Sequence, residues 1–110
     1  MNLKTEKITA DAIKFVVEED GKEIGRAFLY ILKNDLHQEP FGLMEDVFVD
    51  ETRRGQGLGR KLVEAVIEGA KSRGCYKLIC TSRNSNPEVH EFYKKFGFRE
   101  WGKEFRIDLR

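Results

Sequence analysis

Apolar and polar positions alternate in the first part of this chain and then repeat at helical spacing, and the change of period marks the elements. Ala12–Glu18 (AIKFVVE) is a short extended run, and Glu23–Leu32 (EIGRAFLYIL) is a second. Between them, Glu19-Asp20-Gly21-Lys22 reads as a tight turn in which Gly21 supplies a positive φ, so the two runs form a hairpin. Lys33–Pro40 is polar and ends in proline, which predicts a loop. Gly42–Asp50 (GLMEDVFVD) is a third strand. Its Val47-Phe48-Val49 is too uniformly apolar for a strand with one wet face, and so predicts a central place in the sheet.

Helical spacing follows. From about Leu58 to Arg73, Leu58, Leu62, Val66 and Ala70 recur every four residues, and Val63, Ala65 and Gly69 widen the stripe. Gly74 stands where a left-handed residue ends a helix. Tyr76–Thr81 is a fourth strand. Asn86 at the cap position, Pro87 and Glu88 announce a second helix with Val89, Phe92 and Phe96 as its buried edge, closed by Gly97. Phe98 to Leu109 alternates enough for one or two edge strands. The order β-β-β-α-β-α-β predicts one α/β domain over residues 1–110, a mixed sheet in which a hairpin leads into a β-α-β unit.

Composition narrows the function classes. A chain of 110 residues has room for one core. Its 20 basic and 19 acidic side chains leave a net charge of +1, which calls for neither nucleic acid nor a membrane surface as partner. No apolar run reaches the length of a membrane span, and Met-Asn-Leu-Lys-Thr-Glu-Lys at the start has no apolar signal core, so a cytoplasmic location is expected. Cys75 and Cys80 stand at the two ends of one predicted strand, ~16 Å apart and on opposite faces, so they cannot bridge each other. A Cys-x4-Cys pair makes a poor zinc site, no metal is called for, and both thiols are expected to be buried apolar fillers.

The densest chemical signal is Arg54-Gly55-Gln56-Gly57-Leu58-Gly59, between the third strand and the long helix. Three glycines at a helix start gather backbone N–H groups, and Arg53, Arg54, Arg60 and Lys61 add positive charge, which suits a pyrophosphate. A P-loop would need Lys and then Ser or Thr after the last glycine, but Arg60 and Lys61 follow Gly59. A dinucleotide fingerprint would put its third glycine at Arg60 or Leu62. What fits is R-x-x-G-x-G, spelled by Arg54, Gly57 and Gly59.

That pattern resembles the coenzyme A pyrophosphate loop of the GNAT superfamily of acetyl-CoA-dependent N-acetyltransferases. Three further pieces match in order: the strand Glu45-Asp46-Val47-Phe48-Val49 before the loop, Gly74-Cys75-Tyr76-Lys77-Leu78 after the helix, and Asn86-x5-Phe92-Tyr93-x2-Phe96-Gly97-Phe98 at the close. Together they cover residues 42–98, and the E-D-x-x-V strand with Gly-Cys-Tyr-Lys is similar to small-molecule branches such as the glucosamine-phosphate and aminoalkylphosphonate acetyltransferases.

The resemblance implies a GNAT-like sheet with a central splayed strand pair and a direct transfer of acetyl from acetyl-CoA to a primary amine, with a small molecule as the expected acceptor. Val47, Phe48 and Val49 would pair with the pantetheine arm, and a backbone N–H there would polarise the thioester carbonyl. The loop of Arg54 and Gly55, with the N–H groups of Gln56, Gly57, Leu58, Gly59 and Arg60, would grip the pyrophosphate. Tyr93 would protonate the departing thiolate. Asn86 is a helix cap or a cofactor contact, with Asn84 as its rival for the second role.

A base is needed to free the amine. Glu45 and Asp46 are the candidates, and strand alternation puts them on opposite faces. A regular strand favours Asp46 and a bulge favours Glu45. His37 and His90 are weaker alternatives.

Most GNAT proteins carry a strand and two helices before the hairpin, whereas only eleven residues precede Ala12 here. The acceptor site is therefore expected to be open, or completed by the Lys33–Pro40 loop or by a second subunit of a homodimer. An open site also admits a protein lysine or N-terminus as acceptor, and a non-catalytic acyl-CoA-binding module is the reading from another class.

Overall fold

The computed structural model describes residues 1–110, and its contacts cluster into two compact units, Met1–Cys80 and Thr81–Arg110. The first opens with a hairpin of Asp11–Glu19 (β1) and Lys22–Leu32 (β2), paired antiparallel from Asp11↔Ile31 to Glu19↔Lys22. Its two-residue turn has positive φ at both Asp20 (53°) and Gly21 (75°), the handedness that matches the twist of the flanking strands. Phe41–Val49 (β3) pairs antiparallel with β2, and Leu78–Ile79 (β4) pairs parallel with β3, giving the sheet order β1-β2-β3-β4. The apolar third strand thus lies between two others, as its composition predicts.

Leu58–Ser72 (α1) covers one face of the sheet. Its stripe of Leu62, Val63, Val66 and Ala70 is buried against Ile24, Ala27, Leu29 and Met44, and that is the core. Each large side chain there contributes ~1.5–3 kcal/mol by leaving water. Gly69 lets the helix settle close, for a Cβ on it would lie 3.0 Å from Phe15 Cζ. The helix ends in the expected left-handed glycine: Gly74 (φ 75°) donates to the Lys71 carbonyl and Cys75 donates to the Ala70 carbonyl, so two otherwise orphaned acceptors are satisfied.

Three expectations for this unit need correction. The fourth strand is Leu78–Ile79 rather than Tyr76–Thr81, because its ladder with β3 stops at Leu43↔Ile79. Cys75 and Cys80 are half-buried rather than buried, since a two-residue strand covers little of its flanks. Desolvation still raises both thiols, Cys80 to about 11, with the Glu45 carboxylate adding to the effect. Glu45 and Asp46 do not alternate across the sheet, because β3 is bulged where they lie.

The second unit holds Pro87–Lys94 (α2), with Asn86 at its cap position and Pro87 in its first turn. Val89, Phe92 and Phe96 are half-buried rather than the buried edge expected of them. Phe92 packs edge-on against Phe96 with ring centres 5.1 Å apart, and Tyr93 lies 5.6 Å from both Phe92 and Phe98. The predicted edge strands over Phe98 to Leu109 do not form, and Trp101, Phe105, Ile107 and Leu109 are exposed. Alternation makes a segment competent for a sheet, yet a strand exists only once a neighbour pairs with it. No helix is long and apolar enough to cross a membrane.

Candidate active site

The chemistry centres on a defect in β3. Arg26 of β2 pairs with Phe48 and Phe28 pairs with Glu45, so one residue of β2, Ala27, stands opposite two of β3, Asp46 and Val47. This is a β-bulge, and Asp46 adopts φ 52°, a left-handed conformation that costs a non-glycine residue about 1–2 kcal/mol.

The bulge changes what each side of β3 presents. Before it, the Gly42 N–H points away from β2 and donates to the Lys77 carbonyl at 2.9 Å. Beyond it, the Asp50 N–H points toward β2 and donates to the Ile24 carbonyl at 2.8 Å. N–H groups alternate along a strand, so the amides facing away from β2 are those of Gly42 and Met44 before the bulge and of Val47 and Val49 after it. Since β4 pairs only with Gly42 and Leu43, β3 runs on from Met44 to Val49 with that edge open. The splayed strand pair implied by the resemblance is this opening. Arg54 closes its far end, donating from Nε to the Val49 carbonyl at 3.2 Å.

The same extra residue sets the carboxylates. Met44 and Leu29 pair and are both in the core beneath α1, so Glu45 and its partner Phe28 face the other way. Asp46 also faces that way, since it accepts from Arg26 Nε at 2.8 Å and from Arg26 Nη2 at 3.2 Å. Bulged residues escape strict alternation, which corrects the expectation of opposite faces. The two acids differ in how they are held. Arg26 is the main cause that keeps the Asp46 carboxyl below its usual range. Glu45 is exposed and its carboxylate takes part in no side-chain hydrogen bond or ion pair; its charge is felt by Cys80.

The glycine loop lies beyond β3, after a short 3₁₀ turn over Glu51–Arg53 that Asp50 caps by accepting from the Thr52 N–H. Gly55 (φ 82°) and Gly57 (φ 79°) are left-handed, and Gly57 is the cap residue of α1. No side chain caps that helix start, so the first-turn amides of Leu58, Gly59 and Arg60 are not taken up by a capping side chain. The surrounding cations are partly committed elsewhere: Arg53 to Glu19, Arg60 to Glu64, and Arg54 to the Val49 carbonyl. The anion-binding capacity of the loop therefore rests on its backbone and the helix dipole more than on free charge.

In the second unit, Asn86 occupies the cap position of α2 but its side chain makes no capping hydrogen bond. His90 Nε2 lies 2.8 Å from the Arg83 carbonyl oxygen, a structural tie within the turn before the helix. His37, in the first unit, packs its ring 4.3 Å from that of Tyr76. Neither histidine is placed by these contacts as a base.

The sequence pattern alone gives Arg26 no role, although a lone arginine inside the apolar run EIGRAFLYIL is a signal of one. It contacts Asp46, Glu23 and, with its guanidinium carbon 4.7 Å from the ring centre, Phe48.

Known proteins resemble this chain in sequence and in fold. The pattern of the Acetyltransferase (GNAT) family matches residues 3–98. A glucosamine 6-phosphate N-acetyltransferase of Trypanosoma brucei brucei is 39% identical over 96 residues, covering 86% of this chain and 63% of that protein. Glucosamine 6-phosphate N-acetyltransferase 1 of Oryza sativa subsp. japonica is 49% identical over 59 residues, 54% of this chain and 34% of that one. Among solved structures, glucosamine-6-phosphate N-acetyltransferase from Arabidopsis thaliana superposes with a TM-score of 0.82 at 33% identity, covering 91% of this chain and 68% of that chain. The chain thus spans less than two thirds of the curated relatives' length.

Proposed function

Given that this chain belongs to the Acetyltransferase (GNAT) family, we propose that it moves the acetyl group of acetyl-CoA to the primary amine of a small molecule, an amino sugar phosphate such as glucosamine 6-phosphate being the first acceptor to try. The observation that carries the reading is the open edge of β3 beyond the bulge, directly ahead of an uncapped helix start with left-handed glycines. One part offers a backbone edge to an extended thioester arm, and the other offers amides to a pyrophosphate.

Bound acetyl-CoA supplies the acyl group and a thiolate to be displaced. The residues of this chain do the rest. Amides from Gln56 to Arg60 hold the phosphates, and Val49 with its neighbours pairs with the arm. The Val47 N–H, turned outward by the bulge, donates to the thioester carbonyl oxygen, where negative charge develops on attack. Glu45 removes the proton from the acceptor ammonium, whose pKa in water is ~10. By the resemblance, Tyr93 of the second unit returns a proton to the departing thiolate.

Calorimetric titration with acetyl-CoA and coenzyme A, followed by thiol release with glucosamine 6-phosphate, other amines and a lysine peptide, tests the reading. Binding with thiol release from a small amine supports it. Release only with the peptide moves the acceptor to protein, and binding with no release across the panel favours an acyl-CoA-binding module. No binding at all overturns the reading.

A further inference from the structure

The bulge is held by a contact that the reaction scheme does not use. Asp46 carries the strained φ of 52°, and Arg26 grips both of its carboxylate oxygens at 2.8 and 3.2 Å. The same guanidinium lies over the ring of Phe48, the next residue on that face beyond the bulge. Arg26 therefore spans the defect, tied to the residue inside it and to the one after it. Its own position is fixed from behind, because Nη1 lies 3.5 Å from Glu23 Oε2 and Lys14 Nζ lies 2.6 Å from Glu23 Oε1. A planar fork suits this task, since two parallel hydrogen bonds fix orientation as well as distance.

We infer that Arg26 is a positioning residue, a clamp that locks the β3 bulge through Asp46 and Phe48, so that the Val47 amide faces the open edge and Glu45 is left as the unpaired carboxylate. The inference rests on the acetyltransferase reading for its purpose, but the clamp itself is a property of the strand. Asp46 is then a structural acid, sequestered by Arg26, and the pair of carboxylates divides into one that holds and one that reacts. A lysine at position 26 would bring the charge without the fork.

The test compares wild type with Arg26→Leu, Arg26→Lys and Asp46→Asn. Backbone amide exchange at Phe48 and Asp50, read by NMR, reports the bulge without any turnover. In Arg26→Leu, exchange at both amides should accelerate on the order of tenfold or more, and the Asp46 carboxyl, followed by its carbon-13 shift, should return to the ordinary carboxylate range. If Arg26→Leu does not fold, Asp46→Asn carries the same readout: asparagine tolerates positive φ, so the backbone can persist while the charged grip weakens.

In the enzyme, Arg26→Leu should lower kcat on the order of 10- to 100-fold while acetyl-CoA affinity holds, with partial recovery in Arg26→Lys. Wild-type exchange rates and kcat in Arg26→Leu would overturn the clamp. A wild-type protein that binds no acetyl-CoA, with exchange nonetheless accelerated in Arg26→Leu, would overturn the acetyltransferase reading and leave the clamp standing.

Discussion

Strand β3 lives in two environments. Its first residues, Phe41–Leu43, have β2 on one side and the start of β4 on the other, with Gly42 so hemmed in by side chains of those two strands that a Cβ would lie 2.9 Å from Leu78 Cδ1 and 3.0 Å from Leu29 Cδ1. Its last residues, Glu45–Val49, keep β2 but lose β4, and they carry a bulge, a strained aspartate and two carboxylates on one face. The first half is built for packing and the second for presenting backbone to something else. The contrast teaches where to look for chemistry: at the place where a well-paired strand stops being paired while remaining rigid.

The largest effect should come from removing the acid of the open half. Glu45→Gln should reduce kcat on the order of 10²- to 10⁴-fold with acetyl-CoA affinity unchanged, as measured by thiol release beside calorimetry. An unchanged kcat would transfer the base to another group.

At the closed half the expectation reverses. Gly42→Val should cost ~1–3 kcal/mol of stability by overpacking against Leu78 and Leu29, measured by denaturant unfolding, and leave kcat of the folded protein intact. A large loss of kcat there would dissolve the division between the halves.

Gly57 sharpens the comparison from the neighbouring loop. A Cβ on it would meet nothing within 4 Å, so Gly57→Ala suffers only from its φ of 79°. That predicts acetyl-CoA binding weaker by about 5- to 30-fold, the equivalent of ~1–2 kcal/mol, with kcat at saturation little changed.

The smallest effect is acidic. Arg26 holds Asp46 below its usual range in the folded state, so as pH falls through ~4 the unfolded chain takes up the proton first. The stability from this pair is complete above that pH and drains away below it. Thermal melts at descending pH should therefore show a shallower acid decline for Arg26→Gln than for wild type. The pair is half-exposed, so the difference will be small and will shrink further in salt.

Much of this arrangement was legible in the sequence because its determinants are local. The turn at Asp20-Gly21, the stripe from Leu62 to Ala70, the left-handed Gly74 and the start of α2 at Pro87 each depend on residues within one turn or one hairpin. The glycine loop was legible for the same reason. What the sequence did not disclose depends on register between strands. The bulge exists only because Ala27 faces two residues of β3, and the role of Arg26 exists only through that pairing. The short β4 and the unformed strands after Phe98 are likewise questions of partnership that alternation alone cannot answer.

The bulge at Asp46 is also a shift of phase in a period-two code. Downstream of it, every residue of β3 has exchanged the edge to which its amide points and the face to which its side chain points, relative to an uninterrupted strand. Substitutions along Val47–Val49 can alter size and polarity, but they cannot alter that phase. Straightening the strand with Asp46 kept in the ladder would, turning the Val47 amide back toward β2 and withdrawing it from the open edge. In a strand of this kind, a slip of one residue in register is a larger change of chemistry than the replacement of several.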